Sequence, residues 1–279
     1  MDLLRCFESI YLLALYSLPV LLELFTRTSK VHVMEFFIPR GVFFFIGFLG
    51  VCLSSSQSLP DWRNASLPVP VRVANLVSLL TLEELVANLD AERAPGVPRI
   101  GLGPYRFDQE CERGAVTSGI NKRPLGTGFP TPLALGGTFN LSLIAAVARV
   151  SAIEVRAYYN IDRRSNLSTG GNCYAPVVNV VRDPRWGRIQ EMLCGEDPLL
   201  GRIYSRTWTT AMQSGFNASS PYRIVTSVAK HLSTYGGPES GPVDRFAFNA
   251  VLDERTWRTT FIPAFRGSAE AGVDGFMCR

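Results

Sequence analysis

The chain has 279 residues, 47% of them hydrophobic, enough to bury one large core or two modest ones and too apolar for a disordered segment. Its 28 Lys and Arg against 24 Asp and Glu leave a net charge of +4 with no long basic run, which argues against a nucleic-acid partner. The six cysteines, Cys6, Cys52, Cys111, Cys173, Cys194 and Cys278, form no CxxC pair, so neither structural zinc nor a disulfide-dense scaffold is indicated, and no metal is expected.

Two apolar stretches occupy the first sixty residues, Tyr11 to Phe25, interrupted by Glu23, and Gly41 to Leu53. The second has the grammar of a signal peptide. Met34 can initiate, Arg40 supplies the positive end, GVFFFIGFLGVCL is the apolar region, and Ser54 to Ser56 suit cleavage. This reading makes 1–33 an upstream extension, 34–56 the targeting segment and 57–279 the folded domain, secreted or extracellular. The rival is a membrane anchor, since the first stretch approaches spanning length if Glu23 lies near the interface. Asn-x-Ser sequons at Asn64, Asn140, Asn166 and Asn217 agree with the secretory route as glycosylation sites. With Cys6 and Cys52 in the targeting region, the other four cysteines can pair in three ways, with buried thiols as the alternative.

Beyond residue 60, helical and strand-like segments alternate, as in an α/β protein with a parallel sheet. Helical spacing runs over 71–89, where Thr81 and Glu84 resemble a capping box, and Pro95, Gly96 and Pro98 end it. A short strand is expected at 99–102, then a loop to about Pro132. Asn140 also reads as the N-cap of the apolar periodic run Leu141–Ile153, and the segment 142–160 as helical in its first part. CYAPVVNVV (173–181) reads as a buried strand, Pro198 to Gln213 as a helix, IVTSVAKHL (224–232) as a strand, Asp253 to Ala271 as a helix and GVDGFMC (272–278) as a strand. Such a pattern builds an open doubly wound sheet or a closed (β/α)8 barrel. Neither GxGxxG nor GxxxxGK[ST] occurs, which argues against a nucleotide cofactor, and none of any kind is expected.

Polar residues gather where the buried strands end, the usual place for ligand-binding loops in parallel α/β folds. The strand at 173–181 runs into RDPRWGRIQEMLCGEDP, with Arg182, Asp183, Arg185, Arg188, Glu191, Glu196 and Asp197, and the strand at 224–232 ends in Lys230-His231. Singly, each has a structural account: Arg–Asp pairs brace loops, Trp186 packs, and Lys230 is a solvated strand end. Together they suit a neutral polyhydroxylated ligand, for which carboxylates accept and Arg, Lys and His donate. In a regular strand Lys230 and His231 point to opposite faces, so both reach one ligand only where strand gives way to loop.

RDPRWGRIQE followed by GEDP and the later Lys230-His231 resembles the N-terminal domain of glycoside hydrolase family 3, in its β-xylosidase branch. PYRFDQECERG (104–114) is similar to that branch's segment ending in E-C/A-L-x-G, and Phe129-Pro130, EVRA (154–157), 235–265 and the terminal Met277-Cys278 continue the likeness. The resemblance implies an incomplete TIM-like (β/α)8 barrel holding roughly five to six of the eight βα units. It also implies a retaining exo-1,4-β-xylosidase-like hydrolase acting on xylan-derived oligosaccharides, with substrate polysaccharide or oligosaccharide as the partner. Arg188, Lys230 and His231 would bind glycone hydroxyls, while Arg182 braces the loop with Asp183 or Asp197. Glu110 would mark the branch and favour a pentose by crowding a hydroxymethyl group. The nucleophile and the acid/base carboxylate required by this chemistry would lie beyond Arg279, Asp274 not being the nucleophile, which leaves no catalytic residue to assign. A non-catalytic sugar-binding fragment and a membrane-anchored remnant are the alternatives.

Overall fold

Thr81 closes the predicted capping box: its hydroxyl accepts from the Glu84 N–H at 3.3 Å and its own N–H donates to the Glu84 carboxylate at 2.9 Å. The helical pattern is therefore two helices, α1 (Val69–Ser78) and α2 (Leu82–Ala87), with the box between them. The computed structural model describes residues 61–278 except 91–93, 108, 116–125, 165–169, 218–219, 221, 238 and 240–242. The signal-peptide and membrane-anchor readings, Cys6, Cys52 and the sequon at Asn166 thus lie outside the described residues. Among the described residues, no helix is long and apolar enough to cross a membrane.

The strand expected at 99–102 does not form. Pro98, with no N–H to offer a ladder, instead opens a 3-10 turn (Pro98–Ile100), and Gly101 at φ 72° folds the chain back so that Val97 and Leu102 exchange hydrogen bonds of 2.8 and 3.2 Å. After the short α3 (Pro132–Gly136), Asn140 caps α4 (Leu141–Arg164), its side-chain oxygen accepting from the Leu143 N–H at 3.0 Å. Asp197 caps α5 (Pro198–Gln213), whose predicted bounds the structure reproduces.

Ile144, Ala148, Ala152 and Val155 line one stripe of α4, and Tyr204, Trp208 and Met212 one stripe of α5. Both stripes pack with Cys173, Ala175, Leu193, Ile224 and Val225 into the main core. Each large side chain so buried contributes about 1.5–3 kcal/mol, which holds the helices where propensity alone would not.

The sheet is parallel, in the order β1 (Asn172–Cys173), β2 (Thr226–Leu232), β3 (Gly275–Cys278). β1 is much shorter than the strand expected over 173–181. Pro176 lacks a donor, so the ladder is interrupted; the chain resumes pairing only where the Lys230 N–H donates to the Pro176 carbonyl at 3.0 Å and the Val178 N–H to the Lys230 carbonyl at 2.9 Å. Residues 175–180 are nonetheless fully buried, as the apolar run implied.

The expected final helix is present with one interruption. α6 (Glu254–Thr256) passes through a π-turn (Trp257–Phe261) into α7 (Ile262–Glu270). Pro263 cannot donate back one turn, which accounts for the wider turn before it. β1 reaches β2 through α5, and β2 reaches β3 through α6 and α7, so the α/β alternation stands and places the C-terminal strand ends along one rim.

Candidate functional site

Lys230 and His231 lie at the C-terminal end of β2, where the pairing to β3 shifts register between Lys230 and Leu232. Strict alternation fails at such an irregularity; the Lys230 side chain meets the 110–112 segment and Tyr174, and the His231 ring meets Arg188 and Tyr235. The Lys230–His231 and Leu232–Ser233 peptide bonds are cis. Lys230 is 1% exposed and His231 2%, so Lys230 is not the solvated strand end of the structural account.

A buried ammonium needs anionic partners. Lys230 has two, Glu110 and Glu112, with Glu112 Oε1 at 2.7 Å from Nζ, and the Tyr174 ring stands 6.0 Å from it. Glu110 and Glu112 alternate about Cys111 in an extended segment, which turns both carboxylates to one side. Cys111 is disulfide-bonded to Cys173 of β1, settling the pairing that the sequence left open and tying the segment to the sheet. Gly114 ends the segment at φ 114°, where a Cβ would lie 2.0 Å from the Thr127 carbonyl oxygen, so no other residue fits without moving the backbone. Burial pushes the Glu112 carboxyl up to about 7; Lys230 opposes this, while Glu110 and Glu191 add to it.

His231 is held through its backbone by one amide. The Asn179 side chain accepts from the His231 N–H at 2.7 Å and donates to the carbonyls of His231 and Ser233 at 2.8 and 3.1 Å. The His231 ring packs edge-on to Tyr235, with centroids 4.8 Å apart, and Tyr235 packs in turn on Trp186. Arg188 approaches from the RDPRWGR loop. It grips Glu191 through two hydrogen bonds of 2.7 and 2.5 Å, and its Nη1 lies 3.3 Å from His231 Nε2. Burial works against the Arg188 charge, but the Glu191 carboxylate outweighs it and raises the guanidinium pKa above its ordinary value.

Arg182 faces elsewhere. It donates to the Thr234 and Gly236 carbonyls at 2.6 and 3.1 Å and lies over the Phe261 and Phe248 rings, 5.1 and 5.5 Å from their centroids. It braces a loop, as expected, but through backbone carbonyls: Asp183 pairs with Arg185 at 2.8 Å, and Asp197 caps α5. The structure therefore brings Glu110, Arg188, Lys230 and His231 into one connected cluster and keeps Arg182 out of it. Reading the sequence missed Glu112, Tyr174, Asn179 and Tyr235. Two of these carry a legible signal: the two-residue spacing of Glu110 and Glu112, and Asn179 as a lone polar residue inside VVNVV.

Residues 72–279 match the glycosyl hydrolase family 3 N-terminal domain, and the chain belongs to that family. The domain is a TIM-barrel-like α/β fold. The chain is similar to β-D-xylosidase 3 of Arabidopsis thaliana, at 36% identity over 81% of this chain and 29% of that one. It is also similar to a β-xylosidase/α-L-arabinofuranosidase of Medicago sativa subsp. varia, at 34% over 77% and 28%. A solved family 3 exo-β-xylosidase, XlnD, in complex with a xylobiose aziridine activity-based probe, superposes with a TM-score of 0.70 at 28% identity, covering 79% of this chain and 28% of that one. The chain thus spans under a third of the length of these relatives.

Proposed function

We propose that this domain grips the terminal sugar in a β-xylosidase-like exo-glycosidase that releases pentose from xylan-derived oligosaccharides with retention of configuration. The convergence of Lys230, His231, Arg188 and Glu110 on the rim of the parallel sheet carries the reading. Lys230 and Arg188 supply charged donors, His231 a ring nitrogen and Glu110 a half-exposed carboxylate acceptor, the set that a neutral polyol needs. Hydrogen bonds of this kind strengthen as an oxocarbenium-like transition state forms, so they act on turnover as well as on affinity. In this reading Glu110 favours a pentose by crowding a hydroxymethyl group.

The three-stranded sheet belongs, in this reading, to a barrel of which the chain supplies five to six βα units. Secretion, with cleavage after the 34–56 segment and glycans on the sequons, is supported by the Cys111–Cys173 disulfide, a bond characteristic of oxidising compartments. Asn64 and Asn217 are exposed, and Asn140 retains its side-chain nitrogen while its oxygen caps α4.

The decisive experiment titrates xylobiose into this chain and into Lys230→Ala, and assays an aryl β-xyloside with the protein carrying this domain. Binding that falls tenfold to a hundredfold in the variant, the loss of one charge-assisted hydrogen bond of about 1.5–3 kcal/mol, is expected. Equal binding by both proteins would sink the assignment of the cluster.

A further inference from the structure

We propose that Glu112 is a positioning residue for Lys230, withholding one of the ammonium's donors from the sugar when ionised and returning it when protonated. This rests on the reading of the cluster as a sugar site. An ammonium has three N–H donors. Glu110 takes one in a hydrogen bond, and Glu112, two residues along the same disulfide-tied segment, holds the ammonium in an ion pair with Oε1 2.7 Å from Nζ, so both carboxylates compete with a ligand for it.

The two carboxylates are not equivalent. The Glu110 side chain is 50% exposed and can share solvent and ligand, whereas that of Glu112 is 11% exposed and faces the 1% exposed Lys230. The charged groups acting on Glu112 are Lys230 from β2, Glu110 from its own segment, and Glu191 from the turn after the RDPRWGR loop, itself held by Arg188. Only Lys230 favours the ionised form. Burial, Glu110 and Glu191 all favour the neutral acid, which moves its titration from the ordinary carboxylate range to about 7. With Glu112 neutral, Lys230 keeps its full charge against one carboxylate, and the grip on a hydroxyl tightens as pH falls.

Lys30, Lys122 and Lys230 are the only lysines in the sequence, so lysine labelled with nitrogen-15 gives three signals, that of Lys230 assigned by its loss in Lys230→Arg. In the full chain the Lys230 Nζ signal should shift with a midpoint near pH 7, and should lose that transition in Glu112→Gln, which keeps the shape of the side chain without its charge. Xylose, used as the probe, should bind wild type about tenfold more weakly at pH 8.5 than at pH 5.5, the equivalent of one modest hydrogen bond. Glu112→Gln should hold the acid-side affinity at both pH values, and Glu112→Asp should restore the dependence.

A flat Lys230 signal in wild type, or the same pH dependence of xylose binding in wild type and Glu112→Gln, overturns the proposal. A Lys230 transition governed by Glu112 with no xylose binding at either pH would support the coupling and refute the sugar site itself.

Discussion

Cys111 is bonded to Cys173 across 62 residues of sequence, so the segment carrying Glu110 and Glu112 is covalently attached to β1, the strand paired with the one that carries Lys230. The bond is therefore part of the site's construction as well as of the core, where both cysteines are fully buried.

A loop of that length implies about 4 kcal/mol of stabilisation through the unfolded state. The Cys111→Ala/Cys173→Ala double variant should melt roughly 8–16 °C lower by calorimetry. Whatever remains folded should bind xylobiose more weakly, because the carboxylates are no longer held against Lys230.

Arg182 and Arg188 should separate cleanly. Arg182→Ala removes donors from the Thr234 and Gly236 carbonyls and should lower stability by about 2–4 kcal/mol while the folded fraction binds xylobiose as before. Arg188→Ala should weaken binding tenfold or more with a much smaller change in melting temperature. Paired calorimetry and melting curves decide it, and the reverse pattern would exchange the two roles.

The Glu112 carboxyl has a pKa near 7 in the fold against 4.5 ordinarily, because burial disfavours its charge. Its folded form thus prefers the proton, and stability that is complete below about pH 4.5 is lost as pH rises through about 7. Glu112→Gln should melt like wild type at pH 4.5 and be the more stable at pH 8, by on the order of 2–3 kcal/mol. Urea titrations at the two pH values measure the difference.

Asn179→Ala strands the His231 N–H and two carbonyls in a buried setting. Leaving such groups unpaired costs about 1–3 kcal/mol each before relaxation. The variant should lose 2 kcal/mol or more, and the His231 amide should lose its protection in hydrogen exchange before those of α5.

The helices were the legible part of this fold. Thr81 with Glu84, Asn140, and Asp197 before Pro198 are local caps, and local chemistry is what a sequence displays. The strand expected over 173–181 is cut short because its burial and its pairing have different causes: the apolar run buries it, while Pro176 denies it a continuous ladder. Lys230, His231, Arg188 and Glu110 were legible as a group through their motifs. The partners of Arg182 were not, because backbone carbonyls accept hydrogen bonds without any signature in residue type. The disulfide was likewise hidden, since the closeness of Cys111 and Cys173 is decided by how the loop crosses the sheet.

The pairing within the cluster has a thermodynamic consequence. Lys230 is matched by Glu110 and Glu112, and Arg188 by Glu191 and His231, so the strongest donors already have acceptors inside the protein. Beyond the donor capacity that Lys230 keeps, a hydroxyl arriving here replaces one partner by another. Association by replacement releases little net heat, and its selectivity comes from how closely the newcomer reproduces the angles and spacing of the carboxylates it displaces. A molecule with one hydroxyl out of place forfeits the internal bond and gains nothing for it, which makes the site strict about stereochemistry even where its affinity is modest.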